Sequence, residues 1–342
     1  MRVNIIGGGL AGCALAYTLR QAGAEPVIYE AGNSLASGAS GNDVGLYNPR
    51  FTAEYDAAGA FYSIAFFEAL ALFTLFGDVI DWKPCGALHL ITDEKKARRF
   101  PKTVKNWQWG ADDMRIVSPA EATTLSGVEI DCDALFLAKS GIISPKKLCH
   151  AYARDVDVHL NTSVPDAGVL EGGVTILACG MGCAKFKEGA HLPLRPVRGQ
   201  ITYAEETAES QALKTMIGYG GYVAPSFGGV HCVGSTFQRW MDHSDLMSGD
   251  DLSNLSKLSE SVPSLSTVCN TKNSRASIRT AARDHFPVVG QLGEGVYIST
   301  AHGSHGILSS LLSAKIITNT IFQGQPLVSE GVMKALSPAR FE

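Results

Sequence analysis

The sequence predicts an α/β fold in which a parallel-sheet domain is interwoven with a second domain built on an antiparallel sheet. Residues 3–6 form an apolar strand that runs into a glycine-rich turn, and residues 174–177 form a second buried strand that returns to the same sheet. Between residues 194 and 234, short strands alternate with turn residues, which is typical of an antiparallel sheet. A chain of 342 residues is long enough for two such domains.

The opening strand, turn and helix predict a Rossmann-like dinucleotide-binding unit, against the alternative of a chance glycine turn. The first glycine permits the tight turn, the second lets the backbone approach a pyrophosphate, and the third lets the helix pack on the sheet. A second strand ends on Glu30, whose carboxylate is suited to bind ribose hydroxyls. The expected contacts in this unit are Gly7, Gly9, Leu10, Ala11, Gly12 and Glu30.

A loop of small residues follows at positions 37–42. Bare backbone amides in such a loop can form an anion-binding nest, which suits a cofactor with two phosphates. The expected contacts here are Ala39, Ser40, Gly41, Asn42 and Gly45.

Composition limits the classes of function. The net charge of −4 excludes a globally basic nucleic-acid coat but allows a local patch, and six of the eleven residues at 95–105 are basic. The eight cysteines include no C-x-x-C pair, so we expect neither a metal site nor a disulfide framework, and a cytoplasmic location. The basic residues are Lys95, Lys96, Arg98, Arg99, Lys102 and Lys105, and a solvated helix face is the competing interpretation.

Residues 57–76 are apolar enough to span a bilayer, with Glu68 as the one charge. Gly59, Ser63 and Thr74 interrupt the run, and it lacks a basic flank. We expect a core or interface helix and no membrane association.

The order of these elements predicts a discontinuous nucleotide domain. We expect it to comprise residues 1–50, 134–190 and 275–342, and the substrate domain to comprise residues 51–133 and 191–274. The leucine spacing at residues 248–266 favours a surface helix over a linker.

The N-terminal glycine fingerprint and three motifs, at residues 38–42, 279–290 and 303–306, resemble the D-amino acid oxidase superfamily of FAD enzymes. Within it the whole chain resembles the FAD-dependent domain of the bifunctional tRNA 5-methylaminomethyl-2-thiouridine biosynthesis family, MnmC. The resemblance implies an FAD-binding domain interwoven with an antiparallel substrate domain, as in glycine oxidases.

The resemblance also implies a reaction. A carboxymethylaminomethyl group on the tRNA wobble uridine would be oxidised beside its nitrogen, releasing glyoxylate and leaving the aminomethyl form, with molecular oxygen reoxidising the FAD. The anticodon arm would bind the basic run at residues 95–105. Two alternatives remain: an oxidase of glycine, sarcosine or a D-amino acid, and a non-catalytic flavin-containing RNA-binding protein.

Site residues follow from the same resemblance. Arg279 is the expected ligand of the substrate carboxylate, with a structural salt bridge as the alternative. Arg283 is the second candidate, and it could instead form a structural pair with Asp284. Tyr222 and His305 are the other expected catalytic residues, and His302 lies in the same loop. The further expected FAD contacts are Val164, Ala178, Gly180, Gly199, Gln200, Gly303, Ser304, His305, Gly306 and Ile307.

The chain departs from the family pattern at two places that affect these expectations. The glycine fingerprint begins at residue 3, so we expect no methyltransferase domain ahead of it and a separate methyltransferase acting on the product. Ten residues separate Val164 from Thr175, so we expect the strand meander usual there to be shortened.

Overall fold

A computed structural model of the chain describes residues 1–170 and 173–342. Its strands are β1 (Arg2–Ile6), β2 (Glu25–Tyr29), β3 (Gly45–Tyr47), β4 (Ala87–Leu90), β5 (Met114–Val117), β6 (Ala134–Leu137), β7 (Gly141–Ile143), β8 (Asp157–His159), β9 (Val174–Leu177), β10 (Leu194–Glu205), β11 (Met216–Gly218), β12 (Tyr222–Val223), β13 (Val230–Gly234), β14 (Thr271–Ala282), β15 (Val288–Gly293) and β16 (Val296–Thr300). Its helices are α1 (Leu10–Gln21), α2 (Ala57–Phe76), α3 (Glu94–Trp107), α4 (Pro119–Ser126), α5 (Pro145–Tyr152), α6 (Ser248–Ser261), α7 (Gly306–Ile321) and α8 (Glu330–Leu336).

The first sheet has six strands in the order β15-β16-β9-β1-β2-β8. All neighbours are parallel except β15 and β16. The strand β1 is buried after its first residue because it lies inside the sheet, with α1 packed beside it. Both predicted strands of the dinucleotide unit and the returning strand β9 are confirmed. Between β8 and β9 the described residues form only a short 3-10 turn, which agrees with a shortened meander.

The second sheet has eight strands in the order β14-β10-β13-β12-β11-β4-β6-β5, antiparallel except where β11 pairs with β4. It includes β6 and nearly all of β14, so the pairing places both strands in the substrate domain. The predicted boundaries at residues 134 and 275 are therefore misplaced. They fail because β6 pairs with β4 and β5, and β14 pairs along its length with β10, and long-range pairing leaves no local sequence signal.

The apolar helix α2 is part of the core. By length and composition alone the segment Ala57–Ile80 could cross a membrane. However, Phe61, Phe66 and Phe73 are buried in the same hydrophobic cluster as β1, and α2 packs against α7 and α8. The Asp56 side chain caps the helix by accepting a hydrogen bond from the Gly59 amide at 2.9 Å.

The predicted surface helix is α6. Leu255 and Leu258 face inward, and the helix packs on β10 and β13. It therefore covers the outer face of the second sheet, opposite the site described next.

Candidate active site

A cavity of about 1050 Å³ is lined by residues of both sheets. The six-stranded sheet supplies the glycine turn after β1 and the ends of β2 and β9, and the eight-stranded sheet supplies residues of β4, β12 and β14. A cleft of this size between two domains is where an α/β protein binds a large cofactor together with a substrate.

The glycine turn has the geometry predicted for a dinucleotide. Gly7 has a φ of +112°, and its amide donates a hydrogen bond to Tyr29 O at 2.8 Å. A Cβ on Gly12 would lie 1.8 Å from Gly7 O, so this glycine permits close packing of α1 without itself lining the cavity. Gly9 does line the cavity, and a Cβ there would lie 3.1 Å from Ser40 Oγ.

Glu30 directly follows the last residue of β2 and lies beside this turn. Its Oε2 accepts a hydrogen bond from the Gly8 amide at 2.7 Å, and its Oε1 accepts hydrogen bonds from the Gly32 amide at 2.7 Å and Ser37 Oγ at 3.0 Å. These bonds fix the carboxylate where a ribose bound against the turn would reach it.

The loop at residues 37–42 is held by Arg275, which the sequence analysis missed. Its guanidinium donates to Asn42 Oδ1 at 2.9 Å and to Gly38 O, and a Cβ on Gly41 would lie 2.5 Å from it. Arg275 lies four residues before Arg279 on β14, so both face the same side of the strand. This spacing in the sequence could have indicated that Arg275 lies at the same site as Arg279.

Most of the predicted FAD contacts line the cavity. Those that do are Gly7, Gly9, Leu10, Ala11, Glu30, Ala39, Ser40, Asn42, Gly45, Val164, Ala178, Gly180, Gly303, Ser304, His305, Gly306 and Ile307.

Gly199 and Gln200 lie outside that lining, so the prediction of direct FAD contact is wrong for both. Gln200 is fully buried, and its side chain donates to Met247 O at 2.8 Å and accepts from the buried Arg198 at 2.9 Å. It therefore serves the packing of the segment before α6. A Cβ on Gly199 would lie 2.3 Å from the Arg279 guanidinium, so this glycine makes room for that side chain.

Arg279 lines the cavity from β14. Its Nη2 donates a hydrogen bond to Ser235 Oγ at 2.7 Å, and among the described residues its buried Nη1 has neither a hydrogen-bond partner nor a carboxylate within 4.0 Å. Burial lowers the pKa of the guanidinium. A buried cation without an anionic partner is costly, so an anionic ligand is its natural complement.

The second arginine candidate lies elsewhere. Arg283 is exposed and outside the cavity lining, with its guanidinium 6.0 Å from the Phe341 ring centroid. The neighbouring Asp284 pairs with Arg340, whose Nε lies 2.7 Å from its carboxylate. The suggested Arg283–Asp284 pair is therefore replaced by a tie between Asp284 and the C-terminal turn.

Tyr222 lines the cavity near Arg279. Its hydroxyl lies 3.5 Å from Cys232 Sγ, and burial raises the pKa of the phenol well above its usual value. The hydroxyl therefore stays protonated and can donate a hydrogen bond to a ligand.

Two histidines of the loop before α7 line the same cavity. His305 Nδ1 lies 3.4 Å from Asn48 O, and its ring makes an edge contact with Tyr62. The His302 ring nitrogens lie 2.9 Å from Ser309 Oγ and 3.1 Å from Ser299 Oγ. Burial lowers the pKa of each imidazole to about 4, so both are neutral at pH 7.

The mouth of the cavity at the eight-stranded sheet carries His89, Lys96, Arg99 and Phe100. The sequence analysis did not single out His89, although the alternation in β4 with buried Leu88 and Leu90 marks it as facing the opposite side of the strand. Burial, followed by the nearby cations, lowers the pKa of His89 to about 4.

These shifts predict that stability depends on pH. His89, His302 and His305 have a folded pKa of about 4 and an unfolded pKa near 6.5, so the unfolded chain binds more protons between those values. The stability they contribute is present above pH 6.5 and lost as the pH falls toward 4, by up to about 1.4 kcal/mol per pH unit for each histidine. Urea denaturation at pH 7, 6 and 5 measures this loss, and a flat free energy of unfolding across that range would contradict it.

The cavity fits a dinucleotide joined to a further ring system. At one end a glycine turn, the Glu30 carboxylate and the loop at residues 37–42 suit ribose and phosphates, and at the other end Arg279, Tyr222 and two neutral histidines surround space for a reacting group. The glycine positions where a Cβ would meet backbone or Ser40 form the cradle such a cofactor needs.

Comparisons with known proteins agree with this site. The chain is 32% identical to the tRNA 5-methylaminomethyl-2-thiouridine biosynthesis bifunctional protein MnmC of Nitrosospira multiformis, over 98% of the chain and 59% of that protein. The Chromobacterium violaceum protein of the same name is 29% identical, with the same coverage. The chain thus spans about 59% of the length of these relatives.

The fold matches that of glycine oxidase from Geobacillus kaustophilus with a TM-score of 0.86, 20% identity and 99% coverage of both chains. The family model described as FAD dependent oxidoreductase matches residues 2–320, which include both sheets and every residue that lines the cavity. FAD is therefore the cofactor of this cavity, and the chain belongs to the FAD-dependent oxidoreductase family, whose fold is that of the D-amino acid oxidase superfamily.

Proposed function

We propose that the chain oxidises a carboxymethylaminomethyl group on the wobble uridine of tRNA. The carbon–nitrogen bond beside the carboxymethyl group loses two electrons and two protons to become an imine, and water then splits the imine into glyoxylate and the aminomethyl nucleoside. Molecular oxygen accepts the two electrons and two protons and leaves as hydrogen peroxide. Bound FAD supplies the two-electron oxidation. The MnmC relatives are named for tRNA 5-methylaminomethyl-2-thiouridine biosynthesis, which supports a modified uridine of tRNA as the substrate.

The observation that carries the proposal is Arg279. A guanidinium inside the cavity, with a buried Nη1 that no described residue satisfies, can bind a carboxylate through two parallel hydrogen bonds. Its remaining Nη2 bond to Ser235 holds the plane of the guanidinium. The substrate carboxylate bound here brings the adjoining methylene to a fixed position.

The other site residues orient the substrate through hydrogen bonds to its carboxylate and its amine. The Tyr222 hydroxyl, protonated at neutral pH, donates a second kind of hydrogen bond to the same carboxylate. His305 directs Nδ1 toward Asn48 O, which leaves Nε2 to accept a hydrogen bond from the substrate amine. Because its lowered pKa keeps the imidazole neutral at pH 7, His305 orients the neutral amine that oxidation requires and places no positive charge beside it.

We further propose that the basic residues of α3 bind the anticodon arm, in a cytoplasmic enzyme whose product passes to a methyltransferase. Lys95, Arg98, Lys102 and Lys105 are exposed. Arg98 pairs with Glu94 and Lys102 with Glu54, but exposed ion pairs contribute little, and RNA phosphates can replace them. Trp107 and Trp109 pack in the core, with their indole nitrogens bonded to Thr52 O and Ser63 Oγ.

The test uses FAD-loaded protein without oxygen. tRNA bearing 5-carboxymethylaminomethyl-2-thiouridine should bleach the flavin absorbance and yield glyoxylate, whereas glycine, sarcosine and D-alanine should bleach it poorly. Rapid bleaching by sarcosine without tRNA binding would instead assign a small-molecule oxidase. Tight tRNA binding that never bleaches the flavin would indicate a non-catalytic RNA-binding flavoprotein.

Salt dependence tests the tRNA surface. Each phosphate contact releases counterions, so the logarithm of the affinity should fall linearly with that of the salt concentration, and each lost contact should reduce the slope by about 0.7 to 0.9. We expect the smaller slope after four exposed α3 residues are changed to Gln, and the original slope in a charge-matched control. The α3 set is Lys95, Arg98, Lys102 and Lys105, and the control set is Arg20, Lys187, Lys257 and Lys334. Identical slopes in both variants would remove α3 from the interface.

A further inference from the structure

The basic helix α3 divides into two parts with different surroundings. Lys95, Arg98, Lys102 and Lys105 face solvent, whereas Lys96 and Arg99 are partly buried and line the cavity. The spacing of three residues puts Lys96 and Arg99 on one helix face. The helix begins at Asp93, whose side chain accepts a hydrogen bond from the Lys96 amide at 2.8 Å, so the first turn is fixed with this face toward the cavity mouth.

Two buried polar atoms at this mouth have no partner among the described residues. They are the Arg99 Nε and the His89 Nε2. The Arg99 guanidinium rests over the Phe100 ring, 4.9 Å from its centroid, and pairs with no carboxylate in the described chain. His89 packs edge-on against Phe51 at 5.5 Å. Buried polar atoms left unsatisfied in a polar cleft mark a place where a ligand supplies the missing partner.

The charges that line the cavity are unevenly distributed. At the six-stranded sheet the described lining contains one carboxylate, Glu30, and one cation, Lys185. At the eight-stranded sheet the lining contains Lys96, Arg99 and Arg279 and no described carboxylate, although Lys96 Nζ also lies 3.4 Å from Asp93 outside the lining. In a chain with a net charge of −4, this is a local excess of positive charge.

A substrate with a single carboxylate would satisfy Arg279 alone. It would leave Arg99, for which the described residues supply no carboxylate, without an anion. We propose that Arg99, with Lys96 and His89, forms a second anion subsite that binds a phosphate flanking the modified nucleoside, so that the substrate is recognised as a nucleotide and not as a free amino acid. This inference rests on the proposed function and names which group of that substrate the mouth of the cavity binds.

The side chains are suited to a phosphate. The Arg99 fork donates several hydrogen bonds in one plane, the Lys96 ammonium adds a point charge, and His89 can donate through Nε2 once Nδ1 acts as the acceptor. Gly218 leaves room for the imidazole, since a Cβ there would lie 2.8 Å from His89 Nδ1. The subsite is built from α3 and β4, whereas Arg279 lies on β14, so a phosphate bound here is a different group from the carboxylate bound by Arg279.

Steady-state kinetics with two synthetic substrates test the subsite. They are 5-carboxymethylaminomethyluridine and its 3′,5′-bisphosphate, both used with FAD-loaded protein. We expect KM to be at least about tenfold lower for the bisphosphate, with a similar kcat. The phosphate takes no part in the reaction, so a charge-assisted contact with it stabilises the bound substrate and the transition state equally. Arg99→Gln should abolish the difference, and Arg99→Lys should keep part of it. Arg20→Gln, in an exposed ion pair with Asp155, is the matched control and should keep all of it.

Other results would overturn the inference. Equal KM values for the two substrates in the wild type, or a difference that survives in Arg99→Gln, would show that no phosphate is bound there. Iminodiacetate carries two carboxylates in a small molecule. If it, and not the bisphosphate, gained affinity through Arg99, the second anion would be a carboxylate of a small substrate.

A binding measurement separates this inference from the proposed reaction. If neither nucleoside probe is oxidised, the proposed function fails. The subsite is then tested by comparing the affinities of uridine 3′,5′-bisphosphate and uridine, and binding is measured as a shift in the absorbance spectrum of the bound flavin. Tighter binding of the bisphosphate that is lost in Arg99→Gln supports the subsite on its own. Equal affinity of the two compounds overturns it.

Discussion

Replacement of Arg279 by Ala will lower kcat/KM for the carboxymethylaminomethyl substrate by about 100-fold or more while FAD stays bound. The guanidinium offers two charge-assisted hydrogen bonds to the carboxylate, each worth about 1.5–3 kcal/mol, and about 1.4 kcal/mol corresponds to a tenfold change. Part of the loss will appear in kcat, because an unanchored carboxylate lets the methylene leave its reactive position.

The expected effect is separable from a folding defect. Arg279 lies against Gly199 on the neighbouring strand, so the shorter side chain leaves a void and removes only the Ser235 hydrogen bond. Flavin content and far-UV circular dichroism should therefore match the wild type. Arg279→Lys keeps the charge without the planar fork and should recover part of the activity. Arg283→Ala, on an exposed residue of the same motif, is the control. Wild-type kinetics in Arg279→Ala would mean that another cation binds the substrate carboxylate.

The features that can be predicted from the sequence alone depend on local spacing. Gly7, Gly9, Gly12 and Glu30 each have a role that follows from their position relative to one strand and one helix, and the structure gives each that environment. The caps of α2 and α5, which the Asp56 and Ser144 side chains form, are local contacts of the same kind. Because one element decides each of these contacts, a reader of the sequence needs no knowledge of the tertiary pairing.

The features that the sequence missed depend on pairing between distant segments. Arg275 reaches Asn42 across 233 positions, and His89 faces the cavity because β4 pairs with β11. Gln200 was misassigned for the same reason. The alternation along β10 puts its side chain on the face covered by the segment before α6, where it bonds Met247. Strand alternation alone cannot say which of two faces meets the cofactor.

Gly9→Val is expected to produce a folded protein that has lost its FAD. Gly9 is the N-cap of α1 in an extended conformation, with φ −84° and ψ −173°, which a β-branched residue adopts without strain. The new side chain would meet Ser40 Oγ, 3.1 Å from the position of Cβ, and would fill the space where the backbone must approach a pyrophosphate. Ser40 Oγ accepts a hydrogen bond from the Leu10 amide at 3.0 Å, so the loop at residues 37–42 would also move.

In purified protein, the ratio of flavin absorbance (about 450 nm) to protein absorbance (about 280 nm) should fall at least about tenfold. A collision with the cofactor backbone costs more than the roughly 1.4 kcal/mol that corresponds to a tenfold change in binding. Gly110→Val is the matched control, because Gly110 has no neighbour within 4 Å of its Cβ position and lies outside the cavity lining. Thermal unfolding distinguishes the causes. Gly9→Val should melt like wild-type protein stripped of FAD and gain little from added FAD, because a ligand stabilises only the form it binds. Full flavin occupancy in Gly9→Val would mean that the pyrophosphate does not pass over this turn.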